Sequence, residues 1–240
     1  MAGRSLALLK DTLPAALDLL IPPACLSCNA HLGSQEKYLC ENCFAQLVAI
    51  QTGFCDKCGS DLSEGYCLSC SETKYIFEFS RSALLYQEPV VELIHKLKYE
   101  DYRGLAHFFA DRMNESLKLY PEFEDYPYLM AVPLHKVRRR ERGYNQSALI
   151  AKRLAHLSGK EAIRPIERKR YTKSQTQLSR SNRLTNLAGA FIVKEPTQVQ
   201  GKNIIIIDDV FTTGSTLNEI SLELYKAGAG KVACLTATRA

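Results

Sequence analysis

The sequence predicts an α/β protein in which a parallel sheet carries helices on both faces and follows a small cysteine-rich unit. Three observations lead there. Ile204, Ile205, Ile206 and Ile207 are consecutive β-branched residues without polar alternation, the pattern of a strand buried on both faces in the middle of a covered sheet. Leu217, Ile220 and Leu224 then recur at helical spacing until Gly228. The nine cysteines are unevenly spread, with all but Cys234 falling in residues 25–70.

A chain of 240 residues has room for one or two domains, and the texture changes near Tyr75, which predicts units at residues 1–74 and 75–240. The apolar share of 46% supplies a core. A net charge of +5 favours anionic partners without choosing between a phosphate ester and nucleic acid. In residues 1–21, Leu6, Leu9, Leu13, Leu17 and Leu20 predict an amphipathic helix, broken near Pro14, that packs on the body. Lys10, Asp11 and Asp18 interrupt the apolar core that a secretory signal needs, and no window approaches the ~18 apolar residues of a membrane span. The expected location is cytoplasmic, without membrane insertion.

The clustered cysteines form four pairs, Cys25/Cys28, Cys40/Cys43, Cys55/Cys58 and Cys67/Cys70. A two-residue gap turns both thiolates of a pair toward one ion, and two pairs complete a tetrahedral zinc site. Asn29 and Gly59 follow the first and third pairs, and both residue types accept the left-handed conformation of a tight knuckle. That repeat suggests two sequential ribbons, though interleaved pairing satisfies the same spacing, so one or two zinc ions are expected. Four thiolates leave no open position, which makes the metal structural. A disulfide framework belongs to oxidising compartments and fits poorly without an export signal. Cys234, in an apolar run, reads as an inert core residue.

From residue 75 the pattern gives a strand at 82–86 and a helix at 89–98 with Val90, Val91, Leu93, Ile94 and Leu97 inward. It continues with a helix at 105–119, a loop at 120–128, a strand at 129–133 and a helix at 147–157. The isoleucine strand is expected to stop at Asp208 and Asp209, where ligands of open α/β sheets lie. Val210 and Phe211 lead into Thr212, Thr213, Gly214, Ser215 and Thr216, a hydroxyl-rich turn that opens a helix. The first turn of a helix has unpaired N–H groups and partial positive charge, so it suits a phosphate, and Gly214 permits close approach. The carboxylates suit vicinal sugar hydroxyls, with a divalent cation balancing their charge. Together these describe a site for a ribose 5-phosphate. A bare capping turn needs one Ser, Thr or Asp and not this whole string.

Two more blocks carry charge. His135, Arg138, Arg139, Arg140 and Arg142 lie between the strand at 129–133 and the following helix; their guanidinium groups suit a pyrophosphate or other polyanion. Standing alone, such a run would be a solvated face. Residues 167–191, including Gln177, Arg180 and Arg183, form a polar, basic stretch that interrupts the sheet pattern between 163–166 and 191–193, and they read as a lid over the site.

Residues 205–216 resemble, without a gap, the phosphoribosyl-pyrophosphate (PRPP) signature of type I phosphoribosyltransferases. Rival phosphate loops such as G-x-x-x-x-G-K-[ST] and G-x-G-x-x-G are absent. The paired cysteines, the block Arg142-Gly143-Tyr144-Asn145-Gln146-Ser147, the stretch with Thr176, Gln177, Leu178, Arg183 and Asn186, and the acidic signature together resemble the ComF/GntX family of competence-associated proteins. The resemblance covers about residues 17–239. Asn29 stands where that family often has glycine. It implies a Rossmann-like, type I phosphoribosyltransferase-like domain joined to a double zinc ribbon, PRPP with magnesium as ligand, and a role in bacterial DNA uptake, natural transformation or use of DNA as nutrient. Asp208 and Asp209 would contact the ribose, residues 212–216 the 5-phosphate, and the arginine block the pyrophosphate. No residue identifies an acceptor, which leaves two non-catalytic readings open. One is a single-stranded DNA-binding module with Tyr144 and Tyr171 as stacking groups among basic residues. The other is a scaffold for a competence helicase.

Overall fold

The structure, a computed structural model, describes residues 22–51, 53–62, 65–170 and 189–240. The helix expected over residues 1–21 lies outside them. The described strands are β1 (Ser80–Leu85), β2 (Tyr128–Ala131), β3 (Glu161–Ile163), β4 (Ile166–Arg168), β5 (Phe191–Val193), β6 (Ile204–Phe211) and β7 (Val232–Arg239). Five of them make one parallel sheet in the order β1-β7-β6-β2-β3. The isoleucine strand β6 is central, and all four isoleucines are fully buried. At about 1.5–3 kcal/mol for each buried side chain of this size, the run is a main source of folding free energy.

The strand does not stop at the acidic pair. Its ladder with β7 continues through Asp208 opposite Thr236, Val210 opposite Thr238 and Phe211 opposite Arg239. The reason is that β7 is as long as β6 and buried throughout, so the paired backbone outruns the apolar side chains that signal it.

Seven described α-helices accompany the strands. Short α1 (Glu41–Ala45) and α2 (Leu68–Glu72) belong to the cysteine-rich unit; α3 (Val90–Tyr99), α4 (Leu105–Leu119), α5 (Lys136–Arg142), α6 (Gln146–Ser158) and α7 (Ser215–Lys226) follow. The helix over 105–119 forms as expected, and its neighbours shift by one residue at their ends. Val91, expected inward, is only half-buried, because the buried stripe of α3 runs through Val90, Leu93, Ile94 and Leu97. The arginine block folds as a separate helix, α5, with His135 as N-cap and Gly143 closing it at φ 77°.

The short strands flanking the expected lid do not belong to the main sheet. β4 and β5 pair antiparallel as a ribbon of their own. Pro165 separates β3 from β4 and has no N–H to continue a ladder.

Each face of the sheet has its own core. Helices α3, α4 and α6 cover Leu129, Ile205, Ile207, Ala233 and Leu235, and the first cysteine group joins this core through Cys25, Cys40 and Cys43. Helix α7 and the β4/β5 ribbon cover Ile204, Ile206, Val232 and Cys234, and Cys58 of the second group packs there with Tyr75 and Phe77. Burial pushes the Cys234 thiol well up, consistent with an inert core residue.

The cysteines gather as two sequential tetrads, Cys25, Cys28, Cys40 and Cys43, then Cys55, Cys58, Cys67 and Cys70, with the sulfurs of each tetrad within 4.8 Å of one another. A zinc ion with bonds of about 2.3 Å requires tetrahedral S–S separations of about 3.8 Å. Cys28 and Cys40 lie at 3.6 Å, Cys55 and Cys70 at 3.6 Å, and Cys58 and Cys67 at 3.4 Å, so both tetrads fit structural zinc. Asn29 and Gly59 adopt φ of 61° and 71°, the left-handed knuckles expected of them.

The protein should therefore carry two zinc ions, one per tetrad. Cys25→Ser and Cys67→Ser should each lower the zinc content by one, read by atomic emission. Chelation should lower the thermal midpoint by several degrees, since both tetrads are continuous with the cores.

Candidate functional site

The site lies at the carboxyl edge of the sheet. Parallel pairing sets Met130 of β2 beside Ile206, and Cys234 of β7 on its other side, so all three strands present their ends to one rim. The acidic pair, the hydroxyl-rich loop and the arginine helix all meet that rim.

The two carboxylates make different contacts. Asp208 Oδ1 accepts hydrogen bonds from Ser147 Oγ at 2.8 Å and from the Asp209 N–H at 2.9 Å. Asp209 is 4% exposed and receives the Lys98 ammonium on Oδ1 at 3.0 Å, while its buried Oδ2 has no hydrogen-bond partner among the described residues. An orphaned carboxylate oxygen at a sheet edge is an acceptor for an arriving hydroxyl or a hard cation. Burial, then the adjacent charge of Asp209, push the Asp208 carboxyl up to about 7. For Lys98 burial is the largest influence and works against the charged form, but the charge and hydrogen bond of Asp209, joined by the charge of Asp208, together outweigh it and the pKa is raised.

The loop after β6 is built on aromatic rings. Gly214 is the N-cap of α7 at φ 70°, and a Cβ there would lie 2.6 Å from the Phe211 ring and 2.7 Å from that of Tyr75. Glycine is thus required by this floor as well as by the backbone conformation. Phe211 is fully buried and Val210 half-buried. Thr213 Oγ1 and Ser215 Oγ lie 2.8 Å apart, and Tyr75 donates its hydroxyl hydrogen to the Thr213 carbonyl at 3.0 Å. Thr212 is exposed and Thr216 half-buried.

The arginine block divides. Arg138 and Arg142, one turn apart on α5, line a pocket with Lys98, Tyr99 and Asp101, and the Arg142 guanidinium lies 5.3 Å from the centre of the Tyr99 ring. Arg139 and Arg140 are exposed and take no part in it. His135 caps α5, its Nδ1 accepting from the Val137 N–H at 3.3 Å. Arg168 of β4 approaches from the other side; burial and then the charge of Arg138 lower its pKa, while Asp208 opposes them. Gln177, Arg180 and Arg183, expected in a lid, lie outside the described residues, as does Tyr171.

Tyr144 is a correction. Expected as a stacking group, it is 7% exposed, with its hydroxyl donating to the Leu97 carbonyl. The exposed aromatics nearby are Tyr99 at 62% and Tyr102 at 42%. The sequence reading also missed Lys98, Ser147 and Arg168. Lys98 left a trace: it continues the row of Val90 and Ile94 at spacing four, where an inward apolar residue would fall.

Fold and site together define a parallel α/β protein that carries a double zinc ribbon. A model of the double zinc ribbon domain matches residues 16–73. The chain is 32% identical over 222 residues to the DNA utilization protein YhgH of Salmonella typhi, covering 89% of this chain and 96% of that one. It is 29% identical over 216 residues to Competence protein F of Haemophilus influenzae, covering 87% and 93%, and 29% identical over 213 residues to Competence protein ComFC of Bacillus subtilis, covering 85% of each. The chain belongs to the ComF/GntX family of these competence and DNA-utilization proteins. Similar solved structures include the glutamine PRPP amidotransferase of B. subtilis, at 20% identity and a TM-score of 0.38 over 55% of this chain and 26% of that one. A hypoxanthine phosphoribosyltransferase of Staphylococcus aureus follows at 15% identity and a TM-score of 0.37 over 56% and 62%.

The raised Asp208 pKa has a consequence for stability. The folded chain holds this proton more tightly than the unfolded chain, so the group's contribution to stability is lost as pH rises from about 4 to about 7. Asp208→Asn should therefore gain in urea midpoint over wild type at pH 7.5 and lose that advantage at pH 4.5.

Proposed function

We propose that the rim of β6 binds the ribose 5-phosphate moiety of PRPP and that the protein serves bacterial DNA uptake or the use of DNA as nutrient. The observation that carries the binding reading is the buried acceptor of Asp209, set between a hydroxyl-rich helix start and a pocket lined by Lys98, Arg138 and Arg142. The biological setting rests on the DNA-utilization and competence names of the relatives. In this reading residues 1–74 form the ribbon unit and residues 75–240 the ligand-binding unit.

The residues divide the work by charge. Thr212, Thr213, Ser215, Thr216 and the first N–H groups of α7 hold the 5-phosphate. Asp208 and Asp209 accept the ribose hydroxyl hydrogens, and Ser147 keeps Asp208 aimed. Lys98, Arg138 and Arg142 draw the pyrophosphate and stabilise the charge it gains as it departs. Magnesium held by the free oxygen of Asp209 and by the diphosphate would supply Lewis-acid charge neutralisation when bound. No side chain at the rim identifies itself as a general base for an acceptor. Gln177, Arg180 and Arg183 retain their proposed role as a lid.

Calorimetric titration of PRPP with magnesium tests this reading. Wild type should bind saturably, and Asp208→Asn/Asp209→Asn should lose at least tenfold in affinity. Absence of binding to wild type would sink the ribose-phosphate assignment.

A second reading, a single-stranded DNA track, is favoured by Tyr99 and Tyr102, exposed and flanked by Arg142 at 5.3 Å and Lys96 at 5.7 Å from their ring centres. Exposed rings among cations stack bases without sequence preference. If so, Tyr99→Ala/Tyr102→Ala should weaken binding of a labelled oligonucleotide by about tenfold or more, at roughly 1–3 kcal/mol per stacked base. The wild-type affinity should also fall steeply with salt. Retention of DNA affinity in the double variant would remove this reading.

A further inference from the structure

We infer that a groove between the first zinc ribbon and α4 is the seat of the chain's own residues 1–21, which strap that ribbon to the α/β unit. The inference is independent of the ribose-phosphate reading.

The groove has a volume of about 290 Å³ and shares no residue with the rim of β6. On the ribbon side it is lined by Phe44 of α1 and by Leu47 and Ile50 of the connection to the second ribbon; on the other side stand Arg112, Glu115 and Leu119 of α4. That connection is pinned to β1, an edge strand of the sheet. The Ile50 N–H donates to the Ala83 carbonyl at 3.1 Å and the Leu85 N–H to the Val48 carbonyl at 2.9 Å, so backbone pairing fixes one side of the groove.

What the groove offers is apolar area. Phe44 is 48% exposed and Leu119 48%, and Val48, beside Leu47, is 39% exposed. The volume is about twice the ~150 Å³ of an apolar cavity that holds one benzene molecule, which makes room for more than one aliphatic side chain. Its two charges already serve each other. The Arg112 guanidinium pairs with Glu115 at 2.8 Å and lies 5.8 Å from the centre of the Phe44 ring, while its buried Nε has no hydrogen-bond partner among the described residues. A hydrophobic occupant fits this lining, and a polyanion does not.

The occupant follows from sequence and from where the chain enters. Leu6, Leu9, Leu13, Leu17 and Leu20 succeed one another at spacings of three and four, and Arg4, Asp11 and Asp18 fall away from that stripe. The double zinc ribbon match begins at residue 16, so Leu17 and Leu20 belong to the pattern of the ribbon domain itself. Residues 22–25 cover roughly 10 Å of extended chain. Cys25 then lies in one tetrad with Cys43, its sulfur within 4.8 Å of that of Cys43, and Phe44 is the next residue. Residues 1–21 therefore end beside the ribbon side of the groove, and as a helix they would reach about 30 Å from there. Pro14 breaks the stripe into two halves, which makes Leu17 and Leu20, nearest the ribbon, the anchors.

The test is photocrosslinking in the zinc-loaded full chain, with p-benzoylphenylalanine at Leu119, in an equal mixture of ordinary and isotopically heavy protein. Mass spectrometry of the digest should place the cross-links within residues 6–20 and join light to light and heavy to heavy. Leu17→Asp/Leu20→Asp should cut their yield several-fold with zinc content unchanged, whereas Leu8→Asp, off the stripe, should leave the yield as it is. Light-to-heavy cross-links would identify a second copy of the chain as the occupant and overturn the inference. Absence of cross-links to residues 6–20 in the wild type, or a yield indifferent to Leu17→Asp/Leu20→Asp, overturns it as well.

Discussion

The pairing of β6 on both sides is the constraint from which the site follows. A strand of consecutive isoleucines can be buried only if both its faces and both its edges are covered. Here β2 and β7 take the edges while helices and the β4/β5 ribbon take the faces. Parallel register then aligns the carboxyl ends of three strands. The acidic pair and the hydroxyl-rich loop that follows it are brought to one rim with the arginine helix, which lies far from them along the chain.

The rim is electrostatically unfinished in a specific way. Two adjacent carboxylates at the edge of an apolar sheet repel one another, and the molecule relieves this with one ammonium, from Lys98, and one hydroxyl, from Ser147. The relief is partial. Asp208 holds its proton toward neutrality, and one oxygen of Asp209 keeps no hydrogen-bond partner among the described residues. Unsatisfied buried acceptors cost stability, and a site that binds hydroxyls or a cation recovers that cost on binding.

The ribbons are joined to the α/β unit by packing and not merely by the chain. The first tetrad contributes three cysteines to the core beneath α3 and α4, and the second packs against the aromatic floor of the loop after β6. Tyr75 and Phe77 stack at 5.0 Å, and Phe211 meets both edge-on at 6.1 and 6.4 Å. Metal-dependent order in the second ribbon is thereby connected to the geometry of residues 211–214.

Much of this was legible in the residues themselves. The isoleucine run, the cysteine spacings, the left-handed knuckles at Asn29 and Gly59, and the loop at residues 212–216 are local patterns, each set by short-range sterics or by ligand spacing. Four things were not. The length of β6 depended on a partner strand, because hydrogen bonding to β7 carries the ladder past the point where apolar side chains end. The division of the arginine block depended on which side of α5 faces Lys98, and the burial of Tyr144 depended on the Leu97 carbonyl of another helix. Lys98 and Arg239 became part of the rim only through contacts with Asp209 and Cys58, residues 111 and 181 positions away in the chain. The sequence by itself determined the elements and the chemistry available at their ends. Tertiary structure alone decided which charges meet, because a buried ion pair is a property of packing between distant segments.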